Sequence, residues 1–264
     1  STLFPYTTLF RSALCLKLND ESLRLNRADG TLRHVRHAVA SVVACQLAAR
    51  QDDRRWLNAR DHDIAKLIDE CERSKYLSII PRLYLLRATL TYLDAVAAER
   101  ETAAAEKPGA GLAPRFLEAL ALAKLGLDAC TLHVVGYISW QLRNLNAVIS
   151  MRHGKVADAV VELETAMELL RREDLFFMGD DGLVSAVPVV IANYLTVPAI
   201  TDQRRRARLA SIRGFATYPW KELSSFAEIC AFAEQYHHVA SQLPMKSPGL
   251  IIDRRAKMGV VCWF

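Results

Sequence analysis

Seven histidines, six cysteines and several paired acids are the residues of this sequence with chemistry to offer, and their spacing decides whether it is used. His34 and His37 stand three residues apart, which on a helix puts both on one face, as two ligands of a metal would be. No third ligand accompanies them, and Arg33 and Arg36 alongside would repel a cation, so a polar helix face is expected. His237 and His238 are adjacent and would diverge by about 100° on a helix, which suits no shared metal. Asp61-His62-Asp63 offers acid and base groups, but on a helix the three fan apart among Arg60 and Lys66, the pattern of a solvated charged face. Asp180-Asp181-Gly182 carries oxygen ligands suited to Mg²⁺. It has no second acidic motif, and the expected role is a helix N-cap. The sequence has no Gly-rich phosphate loop, no Gly-x-Ser-x-Gly elbow and no His-Glu-x-x-His. The expectation is a chain with no catalytic residue, no cofactor and no metal.

Arg204, Arg205, Arg206 and Arg208 form a basic cluster, with Arg213 beyond, that could hold phosphates of nucleic acid or lipid. Arg205 and Arg208 lie on one helix face while Arg204 and Arg206 diverge, and a solvated surface is the expected reading. The whole chain carries 34 Lys and Arg against 29 Asp and Glu, a net +5, too weak a bias to imply a nucleic-acid partner. The cysteines are scattered at 15, 45, 71, 130, 230 and 262 with no Cys-x-x-Cys pair. Thiols in a reducing compartment are expected, and with them a cytoplasmic location. Gly182–Thr201 runs twenty residues without a charge, but contains Pro188, Pro198 and Asn193. Two prolines would break the hydrogen-bond ladder of a spanning helix, so a buried core helix over Pro188–Val197 is expected and a membrane partner is not.

These residues must be carried by helices. The chain has 264 residues, is 52% hydrophobic, and holds only 11 glycines, with few runs that alternate with period two. Thr2–Ser12 (TLFPYTTLFRS) resembles the translation of a short-read sequencing adapter, so residues 1–12 are left out of the fold argument as an artefact. The true chain is expected to begin upstream of Ala13. A turn at Asn26–Gly30 precedes a helix over Thr31–Arg50, whose apolar side is expected at Val35, Ala38, Val39 and Val42. Asp52–Asp53 caps a helix running to about Arg73, with Trp56, Ile64, Leu67, Ile68 and Cys71 on its apolar side. Helices are then predicted over Pro81–Thr102, Pro114–Cys130, Leu132–His153, Lys155–Arg172, Pro188–Val197, Asp202–Arg213 and Trp220–Leu243. Lys107–Gly111 (KPGAG) is the clearest linker, read as a loop within one array over 13–243, with a subdomain boundary as the alternative. The tail 244–264 ends in an apolar run and is expected to be either truncated or a docked strand. The prediction is an all-α protein of antiparallel helix pairs.

One stretch has a recognisable pattern. In Gln141–Arg171, Gly154 stands at a turn, Ala159 five residues on, Leu163 one turn later, then Ala166, with Ala147 upstream. Close helix crossings admit only Gly or Ala, and Leu fills the flanking gap. This pattern resembles a tetratricopeptide repeat, although Ser150 stands where an aromatic is usual and Arg171 where a proline is usual. Gly111, Leu120 and Ala123 repeat it weakly 43 residues earlier, with Phe116 falling opposite Ala159. The resemblance implies an α-solenoid whose concave surface binds a peptide or partner protein through the first helix of the pair, at Arg143, Asn146 and Ser150. An irregular helical bundle is the alternative fold. Alternative functions are a regulatory arm of a larger signalling or transcription protein, a subunit of a vesicle-tethering complex, and an all-α enzyme using Asp180 and Asp181.

Overall fold

Asp53 shows how the local rules of the sequence are obeyed. Its side chain accepts a hydrogen bond from the Trp56 N–H at 3.1 Å and so caps the helix Arg54–Arg73. In the computed structural model this is one of seven α-helices among the described residues, which are 32–104, 113–133, 138–172, 186–201, 203–204, 207 and 250–262. The helices are α1 (Leu32–Arg50), α2 (Arg54–Arg73), α3 (Ile80–Ala104), α4 (Ala113–Leu132), α5 (Ser139–Arg152), α6 (Val156–Arg172) and α7 (Ala186–Thr196). A 3-10 turn, Leu77–Ile79, leads into α3, with Pro81 in the first turn, where a missing N–H breaks no helical bond. Two strands, β1 (Leu250–Asp253) and β2 (Met258–Val261), form an antiparallel hairpin. Among the described residues the protein is all-α but for this hairpin.

The chain divides into two compact units. The division falls between Ile138 and Ser139, whereas Lys107–Gly111 lies outside the described residues. The predicted helix Leu132–His153 is in fact two pieces. Helix α4 ends at Leu132 and α5 starts at Ser139, with 134–137 outside the described residues. The expected artefact at 1–12, the turn Asn26–Gly30, the helix Trp220–Leu243 and most of Asp202–Arg213 also lie outside them.

The first unit holds α1 to α4. Helix α3 is its centre and packs against both α2 and α4. Its residues Leu83, Leu85, Leu86, Leu90 and Tyr92 are all buried, so apolar side chains occur all round it rather than on one stripe. Tyr92 meets Phe116 of α4 edge-on, with ring centroids 6.0 Å apart. The bulky residue that spoils the second repeat-like pattern thus has a partner of its own. Within α1, Ala38 is buried as expected, and Arg36, Ala40, Val43, Ala44 and Leu47 are buried too, whereas the expected Val39 and Val42 are half-buried. The Arg36 guanidinium, on this side of α1, donates to Ser74 Oγ beyond the end of α2 at 2.6 Å. Trp56 is likewise half-exposed, while Leu57 takes the core position.

A buried carboxylate ties three helices of this unit together. Asp94 of α3 is 2% exposed; its Oδ1 accepts from Arg54 Nε at 2.9 Å and Asn58 Nδ2 at 3.1 Å, both from α2. Arg115 of α4 stands 3.4 Å from Oδ2 and donates to Asn58 Oδ1 at 3.0 Å. The bond to Asp94 is the main reason the Arg54 pKa is raised, with Glu101 adding to it. A charge buried this deeply persists because its partners surround it.

Two helix ends use the same stop. After α5, the Gly154 N–H bonds to Met151 O and the Lys155 N–H to Ser150 O, with Gly154 at φ +73°. After α2, the Lys75 N–H bonds to Glu72 O and the Tyr76 N–H to Cys71 O, with Lys75 at φ +57°. Both are Schellman stops, and both put a left-handed residue at the same place. No atom lies within 4 Å of a Cβ built on Gly154, so a substitution there meets backbone strain and no clash. Chemical denaturation is expected to show Gly154→Ala losing about 1 kcal/mol and Lys75→Gly gaining up to about 1 kcal/mol. No loss in Gly154→Ala, or a loss in Lys75→Gly, would show that these turns are not what they are described to be.

Candidate functional site

The second unit is built on the pair α5 and α6, joined by the turn at Gly154 and packed along their length. Ala147 of α5 and Ala159, Leu163 and Ala166 of α6 are all 0% exposed. Helix α7 packs on α6, and its uncharged run Val189–Leu195 is buried throughout, as expected of a core helix. No described helix is long and apolar enough to cross a membrane. The strand β2 lies against both α5 and α7.

That strand is held by side-chain amides. Gly259 stands opposite Ile252 in the hairpin register, and its N–H and C=O are taken up by the helices. In an antiparallel pair every second residue turns these groups away from its neighbour strand. Asn193 of α7 accepts from the Gly259 N–H through Oδ1 at 2.8 Å and donates to the Gly259 carbonyl through Nδ2 at 2.8 Å. Asn144 of α5 donates to the same carbonyl at 2.9 Å, and its Oδ1 accepts from Asn193 Nδ2 at 2.7 Å. Asn144 and Asn193 are both 0% exposed. The two carboxamides thus do what a third strand would do, and they read only the backbone.

A buried ion pair fixes the turn end of the hairpin. Arg152, the last residue of α5, donates to Asp253 Oδ1 at 2.8 Å and Oδ2 at 2.6 Å, with side chains 6% and 2% exposed. Asp253 Oδ1 also accepts the N–H groups of Arg255 and Ala256, which stabilises the four-residue turn. Removing one partner takes from the other, buried, its opposite charge and two charge-assisted hydrogen bonds. Arg152→Met is therefore expected to cost about 3–5 kcal/mol in urea denaturation. Arg152→Met with Asp253→Leu should lose much less, keeping a deficit of about 1 kcal/mol for the lost turn bonds. A double variant as unstable as the single one would contradict a charge-based account.

The expected partner face of α5 is not open. Asn146 and Ser150 are 8% and 7% exposed, and Arg143 donates to Glu162 of α6 at 2.9 Å. The α5 residues that meet the extended segment are Asn144 and Arg152, neighbours in sequence of those expected but on another side of the helix. Among the described residues, Asn146 Oδ1 and Trp140 Nε1 are buried without a hydrogen-bond partner. Of the basic cluster, Arg204 is described and its guanidinium pairs with Glu164 of α6, which holds its pKa above the ordinary value. The Arg204 N–H bonds to Thr201 Oγ1 at 3.3 Å, so Thr201 has the capping geometry, and Asp202 lies outside the described residues. Arg205, Arg206 and Arg208 lie outside them too, as do Asp180, Asp181, His237 and His238.

Asp61 accepts from Arg87 at 2.9 Å, Asp63 pairs with Arg60 at 3.0 Å, and His62 is exposed, which makes this run a charged helix face. Among the described residues no group of three or more His, Cys, Asp or Glu is placed to hold a metal ion. Leu117, Leu125 and Leu132 of α4 are exposed on one side of that helix. Cys71, Cys130 and Cys262 are buried thiols. Burial pushes the Cys71 thiol up, with Arg36 opposing. A raised folded-state pKa gives stability that is fully present below the unfolded value of about 8.5 and is lost as pH rises above it. Iodoacetamide at pH 8.5 should alkylate Cys71 more than about tenfold slower in the folded chain than in urea, read by peptide mass spectrometry. Equal rates would contradict this.

Compared with protein-family models, with curated proteins and with solved structures, the chain matches none.

Proposed function

We propose that this chain is a non-catalytic protein–protein interaction scaffold, a tetratricopeptide-like helical-repeat protein that holds an extended segment of a partner protein in the cytoplasm. The observation that carries this reading is the treatment of β2. Two helices take hold of a strand through its backbone, using Asn144 and Asn193, with no sheet to join. A helical surface that binds a strand by its peptide group can accept strands of many sequences, because every residue offers the same N–H and C=O. The packing of α5 on α6 supports the repeat reading. Gly154 at the turn and the buried Ala147, Ala159, Leu163 and Ala166 are the residues that reading requires. The buried thiols Cys71, Cys130 and Cys262 support a reducing compartment.

The scaffold reading has a direct test. The full chain, immobilised in its folded state, is panned against a random peptide display library, with urea-unfolded chain as the control. Enrichment of peptides that bind the folded chain with micromolar or tighter Kd is expected. A library that yields nothing beyond the unfolded control would sink the reading.

A further inference from the structure

Helix α4 is the last described helix of the first unit, and one side of it packs on α3. Its outer side carries Leu117, Leu125 and Leu132, which are 56%, 48% and 76% exposed. At 100° per residue the three fall within an arc of about 80°. The exposed Ala121 and Asp128 lie inside that arc, and the exposed Lys124 stands at its edge beside Leu117. The outer face of a surface helix is ordinarily polar, and a row of leucines along it marks a face that something covers. The charges on this face also lack what charges elsewhere in the unit have. At the start of the same helix Arg115 pairs with Glu118 at 2.8 Å. Among the described residues, neither Lys124 nor Asp128 has an ion-pair partner.

We propose that a second copy of this chain covers the face, α4 against α4, antiparallel about a two-fold axis that passes between Lys124 and Leu125. Spacing and charge both select this occupant. A two-fold axis brings residue i of one copy to residue j of the other and j to i. Leu117 and Leu132 are equidistant from the axis, so each meets the other across it, and Leu125 lies beside the axis against its own counterpart. Lys124 and Asp128 lie on the same flank of the leucine row, and in an antiparallel pair like flanks face each other. Helix side chains lean toward the N-terminus, which carries the Lys124 ammonium back to the level of Ala121. That is the level at which the partner's Asp128 stands, and the small Ala121 leaves it room. The pair of helices thus gains two Lys124–Asp128 ion pairs between copies. A parallel pair would instead set Lys124 against Lys124 and Asp128 against Asp128. One helix face buries less than the ~800 Å² a side of a standard interface, so the dimer is weak and reversible. It is independent of the peptide-binding reading above.

Sedimentation equilibrium of the full chain tests this. The wild-type chain should show a reversible monomer–dimer equilibrium with a Kd on the order of tens of micromolar. Leu125→Glu and Leu132→Glu should each weaken it more than about tenfold and leave the melting temperature unchanged, since both side chains already face water. Lys124→Glu and Asp128→Lys should each weaken it about tenfold, because each sets like charges across the axis. Mixed in equal amounts, these two charge variants should associate at least as tightly as the wild-type chain, because each supplies the charge that the other lacks. No contact within one chain can produce that rescue. A wild-type chain that stays monomeric at roughly 200 μM overturns the proposal. So does a dimer that both leucine variants leave intact, because it forms on another surface. A mixture no tighter than its two components overturns the antiparallel pairing, and with it the choice of a second copy as the occupant.

Discussion

Everything in the second unit depends on one peptide group. The N–H and C=O of Gly259 would be stranded against the helices if Asn193 and Asn144 did not reach them. A buried backbone group without a partner costs about 1–3 kcal/mol, so the hairpin can be buried only where side chains replace a neighbouring strand. Two asparagines do this because a carboxamide carries the same donor and acceptor pair as a peptide. That requirement sets the places of Asn144 on α5 and Asn193 on α7, and with them the seat of β2 between the two helices. The Arg152–Asp253 pair then fixes which end of the hairpin lies at the end of α5.

The two units solve the burial of polar groups in related ways. In the first, Asp94 is buried among Arg54, Asn58 and Arg115, so that one carboxylate joins α2, α3 and α4. In the second, amides and an ion pair join α5, α7 and the hairpin. Ion pairs of this kind add little net stability over apolar packing, but they penalise every arrangement in which a partner is missing. They therefore fix which surfaces meet. Helices rich in Ala and Leu need this, because their apolar faces alone can slide against one another.

Helix positions could be read from the sequence because their signals are local. Asp53 caps α2, Pro81 opens α3 and Gly154 closes α5, each within a residue or two of its expected place. Ala147, Ala159, Leu163 and Ala166, singled out by their helical spacing, are all fully buried. What escaped was non-local. Arg36 is buried on α1 with its partner Ser74 38 residues away. Asn144 and Arg152 of α5 went unnoticed because they are ordinary polar residues until Gly259 and Asp253, more than 100 positions on, give them partners. Asn193 drew notice only as an obstacle to a membrane span. The hairpin itself hid in a short apolar tail, and the Asp253-Arg254-Arg255-Ala256 turn was its one sequence signal, an Asx turn recognisable only with the strands in view.

The account is tested most directly at the Gly259 peptide. Scalar coupling through the hydrogen bond, measured by NMR between the Gly259 amide nitrogen and the Asn193 side-chain carbonyl carbon, reports that bond and nothing else. A resolved coupling, with the Gly259 amide losing its protection in Asn193→Leu, which removes the acceptor, is the predicted result. No coupling, with the Gly259 amide exchanging as in an unfolded chain, would contradict a strand held by helix side chains.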